Sequence, residues 1–184
     1  MGHLVFSTQM TLDGVIDHDD EWFSGEGEHE GRGAFDELFA AEAILLGRKT
    51  YEGLAAYWPT STDTSGFAER LNGLPKFVAS RTLAEPLAWN ATLIKGDPAD
   101  YVAELKQQYR GNVLSYGCGS LAHYLASRGL VDEVCFWVHP VVFGNGQRPF
   151  DGSTPVWLRL VSTTMFRSGV ALLSYKPTEK AGMD

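Results

Sequence analysis

Cysteine is scarce in this 184-residue sequence, which contains only Cys118 and Cys135. Two cysteines are too few for a disulfide framework, and their separation does not match a metal-binding motif. The five histidines show no metal-site spacing either, so no metal is predicted. Cys135 lies in a predicted strand and Cys118 in the turn between a predicted strand and helix, and we expect buried, reduced thiols.

Positive charge is also in deficit. The chain has 15 Lys and Arg residues against 23 Asp and Glu residues, which gives a net charge of −8. Nucleic acids and anionic membranes both require a basic surface, so neither partner is predicted. A few local cations would still be enough to bind a phosphorylated small molecule.

Long hydrophobic runs are missing as well. No run approaches the roughly 20 apolar residues that span a bilayer. The N-terminus passes from Met1-Gly2-His3 directly into an apolar segment, without the basic and apolar regions of a signal peptide. We therefore expect a soluble, cytoplasmic protein. Its length and its 44% hydrophobic content predict a single domain over residues 1–184.

Short apolar runs alternate with amphipathic segments along the chain. Strands are predicted over 4–12, 43–46, 76–80, 91–94, 113–116 and 134–138, helices over 34–42, 48–57, 67–71, 98–109 and 120–128, and a hairpin over 157–162 and 169–175. This alternation predicts a mostly parallel sheet covered on both faces by helices, with the antiparallel hairpin at its C-terminal edge. The segment 18–33 fits either a solvated acidic loop or a flap that closes over a ligand.

Phosphate-binding chemistry follows three of the predicted strands. These strand ends carry Gly47-Arg48-Lys49-Thr50, Ser80-Arg81-Thr82 and Gly117-Cys118-Gly119-Ser120. Glycines at a strand-to-helix turn allow backbone N–H groups to approach an anion, and arginine and hydroxyl groups suit phosphate oxygens. Ligands of parallel sheets bind at the carboxyl ends of the strands. The pattern therefore predicts a ligand with several phosphates.

The third of these turns also permits another interpretation. Residues 117–122 fit the G-x-G-x-x-A form of the dinucleotide-binding fingerprint, which would indicate a classical dinucleotide-binding dehydrogenase. That fingerprint requires an acidic residue at the end of the following strand. Here Asp132 and Glu133 precede the strand, which ends at His139. This alternative is therefore less well supported by the pattern.

Six segments, in this order, carry a resemblance to a known family: 7–16 with Leu12-Asp13-Gly14, 46–52 with Trp58-Pro59, 76–83, 117–121, 130–133, and 140–146 with Phe150. The chain resembles the dihydrofolate reductase-like family. Within it, the chain is most similar to the reductase domain of the bifunctional riboflavin-biosynthesis deaminase-reductase and its stand-alone bacterial relatives. The resemblance implies a three-layer α/β/α fold with a central mixed, mostly parallel sheet.

The same resemblance implies NADPH as the cofactor and a homodimer as the assembly. It places Gly47, Arg48 and Thr50 on the cofactor's phosphates, with Ser80, Arg81 and again Arg48 near the adenosine 2′-phosphate. The pyrophosphate and its neighbouring ribose would be held by Gly117, Gly119, Ser120 and Leu121. Residues 8–13 would border the nicotinamide and the substrate.

The implied substrate is a small heterocycle. No acid falls at the position where dihydrofolate reductase has its buried carboxylate, which argues for the riboflavin branch over a pterin. The chain lacks the zinc pattern of the fused deaminase, which predicts a stand-alone reductase. The proton would come from Asp13, from Glu30 or Asp36, or from water, with Asp13 first because it follows the first strand at a glycine turn. Capping of that turn is an equally open role for Asp13.

The sequence offers two further candidate substrate residues and one alternative function. Trp22 and Trp58 are candidates for stacking on a flat substrate, although tryptophans more often belong to the core. Thr8 is placed on the substrate side with Asp13. The alternative to an enzyme is a non-catalytic, NADPH-binding dimer of the same fold.

Overall fold

The computed structural model describes residues 1–23, 28–150 and 154–179. It confirms the predicted α/β class: eight strands form a mixed sheet that is mostly parallel, with antiparallel strands at the C-terminal end. The elements in chain order are β1 (His3–Thr11), α1 (Asp19–Trp22), α2 (Glu28–Phe39), β2 (Ala41–Gly47), α3 (Arg48–Tyr57), a 3-10 turn (Trp58–Thr60), α4 (Phe67–Gly73), β3 (Lys76–Ala79), β4 (Ala91–Leu93), α5 (Pro98–Gln108), β5 (Asn112–Tyr116), α6 (Ser120–Ser127), β6 (Glu133–His139), β7 (Trp157–Met165) and β8 (Ala171–Thr178).

The chain divides into two compact units. The first unit comprises Met1–Leu4 and Arg32–Tyr116, and the second comprises Val5–Gly31 and Gly117–Asp184. In the first unit the strand order is β4-β3-β2-β5, and the paired neighbours run parallel. In the second unit the order is β1-β6-β8-β7, where β1 and β6 are parallel and the last two pairings are antiparallel.

Strand β2 forms the centre of the first unit's core. Ile44, Leu45 and Leu46 have 0% of their surface exposed, as the uninterrupted apolar run predicts for a parallel strand buried on both faces. The exposed carboxylate of Glu42 accepts hydrogen bonds from the backbone N–H groups of Arg110 and Gly111, at 2.9 and 2.8 Å. This contact ties the start of β2 to the turn before β5.

The second helix differs from its prediction at both ends. It begins at Glu28 rather than Ala34 and ends at Phe39, so that β2 begins at Ala41 rather than Ala43. Part of the segment interpreted as a loop is therefore helical. Gly31 and Gly33 and the polar residues around them hid the first turns, because the apolar period starts only at Phe35.

The C-terminal hairpin is longer than predicted. Strand β7 continues to Met165 and β8 to Thr178, so Pro177 is paired with Leu158 instead of lying in a frayed tail. The turn between the strands is closed by the backbone N–H of Phe166, which donates to the carbonyl of Val170 at 2.9 Å. Strand β7 is the outermost strand of its unit.

A buried lysine at the start of β3 donates hydrogen bonds to the carbonyls at the end of helix α4. Lys76 has 0% of its surface exposed, and its ammonium donates to the carbonyls of Leu71, Asn72 and Leu74 at 2.6, 3.1 and 2.7 Å. The ammonium also lies 4.4 Å from the centre of the Trp89 ring. Burial lowers the pKa of Lys76 to about 8, which leaves it charged at pH 7. The cation therefore satisfies carbonyls that the end of a helix leaves without partners.

We expect Lys76→Met to destabilise the fold by roughly 2–4 kcal/mol, because three buried carbonyls lose a charged donor. Chemical denaturation monitored by circular dichroism measures this change. Lys95→Met is the matched control, because Lys95 pairs with Glu85 on the surface with 77% of its side chain exposed, and we expect little change. Equal stability of the two variants would contradict an anchoring role for Lys76.

Candidate functional site

Two neighbouring parallel strands end at the same edge of the first unit's sheet. Gly47 in β2 is the register partner of Ala79 in β3, so Arg48 and Ser80 follow from adjacent strand ends. Arg48 is the first residue of α3, and Gly47 is its N-cap without any side-chain hydrogen bond. A Cβ placed on Gly47 would meet nothing within 4 Å. The start of α3 is thus an open helix N-terminus with its positive end towards the strand ends.

The side chains at this edge form what we call the arginine cluster: Arg48, Thr50, Ser80 and Arg81. Arg48 is exposed, and its guanidinium contacts the Glu52 carboxylate at 2.9 Å, one turn along α3. The Ser80 hydroxyl accepts hydrogen bonds from the N–H groups of Thr82 and Leu83 at 3.1 and 3.0 Å, which shapes the turn that exposes Arg81. The cluster therefore presents two arginines and a helix N-terminus at adjacent strand ends, a combination suited to phosphate.

A second open helix start lies in the second unit. Gly117 has a φ of 81°, in the region that favours glycine, and its N–H donates to the Ser7 carbonyl in β1 at 3.1 Å. Gly119 is the N-cap of α6, again without a side-chain hydrogen bond. Ser120 is exposed and Leu121 half-buried on the first turn. We call residues 117–121 the glycine turn.

Helix α5 is built differently at its start. Its N-cap is Asp97, whose side chain accepts a hydrogen bond from the Ala99 N–H at 2.8 Å, and Pro98 occupies the first helical position. The chain therefore satisfies the start of α5 with its own acid. At α3 and α6 it places glycines, which supply no acceptor.

Asp13 fastens the loop after β6 to the loop after β1. Its carboxylate accepts hydrogen bonds from the Thr11 hydroxyl at 2.6 Å and from the N–H groups of Phe143 and Gly144 at 3.0 and 2.8 Å. The guanidinium of Arg148 lies 4.0 Å from the Asp13 carboxylate. The Thr11 hydroxyl, followed by the Phe143 N–H, lowers the pKa of Asp13 from 3.8 to about 2.

An acid that ionises at about pH 2 holds no proton at neutral pH. These contacts do not favour Asp13 as a proton donor, and they agree with the alternative that Asp13 caps a turn. The proton-donor role of Asp13 stays a prediction. Of the other acids considered, Asp36 is exposed on α2, and the side chain of Glu30 lies outside the described residues.

Asp17 makes a parallel contact four residues along the same loop. Its carboxylate accepts a hydrogen bond from the Gln147 N–H at 2.8 Å, and the Ile16 N–H donates to the Gln147 carbonyl at 3.0 Å. The Phe150 N–H then donates to the Cys118 carbonyl at 2.8 Å, inside the glycine turn. Neither Asp17 nor Gln147 was predicted as a site residue, because the sequence gives no sign that residues 130 positions apart meet.

An aromatic group lies near the carboxyl ends of β1 and β6. The rings of Trp22 and Phe23 meet the His139 ring edge-on, with centroids 5.3 and 5.4 Å away. His139 Nε2 lies 2.7 Å from Gln9 Oε1, and because an amide oxygen only accepts, this nitrogen carries the hydrogen. Trp22 donates its indole N–H to the Asp17 carbonyl at 2.8 Å. Trp22 was predicted from the sequence as a substrate residue, whereas His139 and Gln9 were not.

The other two predicted substrate residues, Thr8 and Trp58, are buried or half-buried. Thr8 is 8% exposed, and its hydroxyl donates to the Gln9 carbonyl at 3.3 Å. Trp58, in the first unit, packs on Phe67 with ring centroids 5.2 Å apart, while its carbonyl accepts a hydrogen bond from Asn72 at 3.0 Å. Trp58 therefore has the contacts of a half-buried packing residue.

Metal sites and membrane-spanning helices were the other features considered from the sequence. In residues 1–23, 28–150 and 154–179, no three His, Cys, Asp or Glu side chains are grouped so as to hold a metal ion. Over the same ranges, no helix combines the length and the apolar character needed to cross a membrane.

We expect Asp13→Asn to lower stability at pH 7, because an amide cannot accept all the hydrogen bonds that the carboxylate accepts. The pKa of Asp13 is lower in the folded chain, so its charge stabilises the fold above about pH 4, and this contribution is lost as the pH falls towards about 2. Urea denaturation of both proteins between pH 7 and pH 2 should therefore show their difference shrinking below pH 4. A difference in unfolding free energy that stays constant over this range would contradict a stabilising role for the ionised Asp13 carboxylate.

Known proteins agree with this architecture. The chain matches the model of the RibD C-terminal domain over residues 2–172. YyaP, an uncharacterised protein of Bacillus subtilis (strain 168), is 31% identical over 180 residues, which cover 94% of this chain and 93% of that protein.

Two solved structures share the fold. A protein of Shewanella sp. PV-4 with the provisional name riboflavin biosynthesis protein has a TM-score of 0.76 and 18% identity, covering 96% of this chain and 99% of that chain. Dihydrofolate reductase from Enterococcus faecalis, complexed with NADP(H), has a TM-score of 0.63 and 13% identity, covering 96% of this chain and 97% of that chain. The fold is therefore dihydrofolate reductase-like, and the chain belongs to the RibD C-terminal domain family.

Proposed function

We propose that the protein is an NADPH-dependent reductase that transfers a hydride to a small heterocyclic substrate. The substrate would be a pterin-like ring or a riboflavin-pathway ribosylamino-pyrimidine such as 5-amino-6-(5-phosphoribosylamino)uracil. The observation that supports this most is the arginine cluster, in which an open helix N-terminus, Arg48 and Arg81 follow from the ends of adjacent strands. When bound, the nicotinamide supplies the hydride.

The two open helix starts would bind different parts of the cofactor. At the start of α3, Gly47, Arg48 and Thr50 would hold phosphate. Within the arginine cluster, Arg48, Ser80 and Arg81 would bind the adenosine 2′-phosphate. A 2′-phosphate carries about two negative charges, which the paired arginines would offset. The glycine turn, with Gly117, Gly119, Ser120 and Leu121, would take the pyrophosphate and its ribose through backbone N–H groups.

On the substrate side we propose Thr8, Asp13, Trp22 and Trp58. Trp22 is best supported, because its ring borders His139 at the carboxyl end of β6. Asp13 would act by position: its carboxylate fixes the backbone at Phe143 and Gly144, and the proton would come from water or another group.

The alternative is a non-catalytic protein that binds NADPH and uses the fold for another purpose. Binding alone does not separate the two. Oxidation of NADPH, followed at 340 nm in the presence of pterins or ribosylamino-pyrimidines, distinguishes an enzyme from a binding protein. The classical dinucleotide-binding dehydrogenase is less well supported, because the chain has a dihydrofolate reductase-like fold and the Gly117 turn follows β5 rather than the first strand.

The cofactor site is tested by fluorescence titration with NADPH and NADH. We expect the wild-type protein to prefer NADPH by roughly tenfold or more, and Arg48→Ala to remove most of this preference, because charge-assisted bonds to the 2′-phosphate are lost. Affinity for NADH should change much less.

Glu52→Gln is the matched control, because it removes the partner of Arg48 and keeps the guanidinium. We expect it to bind NADPH at least as tightly as the wild type. Failure of the wild-type protein to bind either nucleotide would overturn the proposed function. If the wild type and Arg48→Ala prefer NADPH over NADH equally, Arg48 does not bind the 2′-phosphate.

We also propose that the protein is a homodimer and that β7 forms its interface. Trp157, Leu160, Val161 and Met165 are 46–67% exposed on this outermost strand, an unusual density of apolar surface. An exposed edge strand offers unpaired N–H and C=O groups, and a second copy could pair with it antiparallel about a two-fold axis.

We expect the wild type to sediment at twice its 20.2 kDa mass and Leu160→Lys to sediment as a monomer, because a lysine on the edge opposes strand pairing. Analytical ultracentrifugation at micromolar concentration measures both. Val142→Lys is the control, since Val142 is 70% exposed but lies outside β7, and it should remain dimeric. A monomeric wild type would rule out the dimer.

A further inference from the structure

Gln147 occupies a fixed position that the proposed cofactor site does not yet explain. Both hydrogen-bonding groups of its main chain are used, the N–H by Asp17 Oδ1 at 2.8 Å and the carbonyl by the Ile16 N–H at 3.0 Å. Three residues later, Phe150 is bonded to the Cys118 carbonyl. The segment 147–150 therefore lies against the glycine turn that opens α6.

The side chain of Gln147 reaches the first residue of that helix start. A Cβ on Gly119 would lie 2.7 Å from Gln147 Nε2, closer than side-chain carbons approach other atoms. Gly119 thus leaves room for the carboxamide at the N-cap of α6. No hydrogen bond from this carboxamide occurs to any residue in the described part of the chain.

Two kinds of donor lie next to each other at this point. The first N–H groups of α6 have no acceptor from the N-cap side chain, and Nε2 of Gln147 is itself a donor. Donors held close together by glycine and by a fixed main chain are satisfied by an anion.

We propose that Gln147 is a further cofactor-binding residue, whose carboxamide donates to the pyrophosphate of NADPH beside the start of α6. This inference rests on the proposed function. Asp17 is a positioning residue in this arrangement, because its carboxylate holds the Gln147 main chain. The loop after β6 thereby adds a side chain to a phosphate site otherwise formed by backbone.

The test uses two ligands that share only part of their structure. NADPH carries the pyrophosphate, whereas adenosine 2′-monophosphate carries the 2′-phosphate that the arginine cluster would bind and no pyrophosphate. Dissociation constants for both are measured by calorimetry on the wild type, Gln147→Met and Gln147→Glu. Gln147→Met keeps the size of the side chain without the donor, and Gln147→Glu adds a negative charge at the same place.

We expect Gln147→Met to weaken NADPH binding roughly three- to tenfold and Gln147→Glu by more than about tenfold, with binding of adenosine 2′-monophosphate unchanged. Gln107→Glu, on the exposed end of α5, is the matched control and should bind both ligands as the wild type does. Asp17→Ala should weaken NADPH binding alone, because it frees the Gln147 main chain.

Three results would overturn the proposal. Wild-type binding of NADPH that both Gln147 variants retain would remove Gln147 from the site and leave the proposed function standing. Equal loss of both ligands in the Gln147 variants would show that the effect is not local to the pyrophosphate. A wild type that binds neither ligand would overturn this inference together with the proposed function.

Discussion

The backbone N–H groups at the start of an α-helix need acceptors, and this chain supplies them unevenly. At α5, Asp97 accepts a hydrogen bond from the Ala99 N–H. At α3 and α6, the cap residues are Gly47 and Gly119, which have no side chain to offer. A capping acid stabilises a helix by only roughly a few tenths of a kcal/mol relative to a glycine cap. The chain forgoes this at α3 and α6, the helices that follow β2 and β5, where an acid would also repel the proposed phosphate.

Carboxylates lie instead in a neighbouring loop, where they accept hydrogen bonds from backbone N–H groups. Asp13 and Asp17 both lie in the loop after β1, and both accept hydrogen bonds from N–H groups of the loop after β6. A carboxylate can hold two segments together in this way, because backbone donors favour its charged form. The two loops are therefore joined at two points along their length. Gly146, with a φ of 153°, fits between them because a side chain there would strike Val15 and Asp17.

The sequence predicted much of this and missed a definable part. The strand–glycine–helix pattern at Gly47 and Gly117 gave the fold class, because turn glycines and buried apolar runs are local signals. The start of α2 was missed because Gly31 and Gly33 hide a helix whose stability comes from burial of residues such as Leu38. The role of Gln147 and the two contacts of Asp13 to Phe143 and Gly144 depend on residues about 130 positions apart, for which a single sequence carries no signal.

The state of Asp13 also bears on the choice between the two proposed substrate classes. Reduction of a pterin ring nitrogen–carbon bond requires a proton at the nitrogen, which a buried, neutral carboxylic acid can assist. Asp13 is the reverse of such an acid: its hydrogen bonds hold its pKa at about 2, and its lone pairs are directed to backbone donors. The riboflavin branch that the chain resembles would reduce a ribosyl group instead and would need no such pterin acid. Asp13 as it is held here would fit the proposed ribosylamino-pyrimidine, whereas protonation of a pterin by Asp13 would require its contacts with Phe143 and Gly144 to be broken.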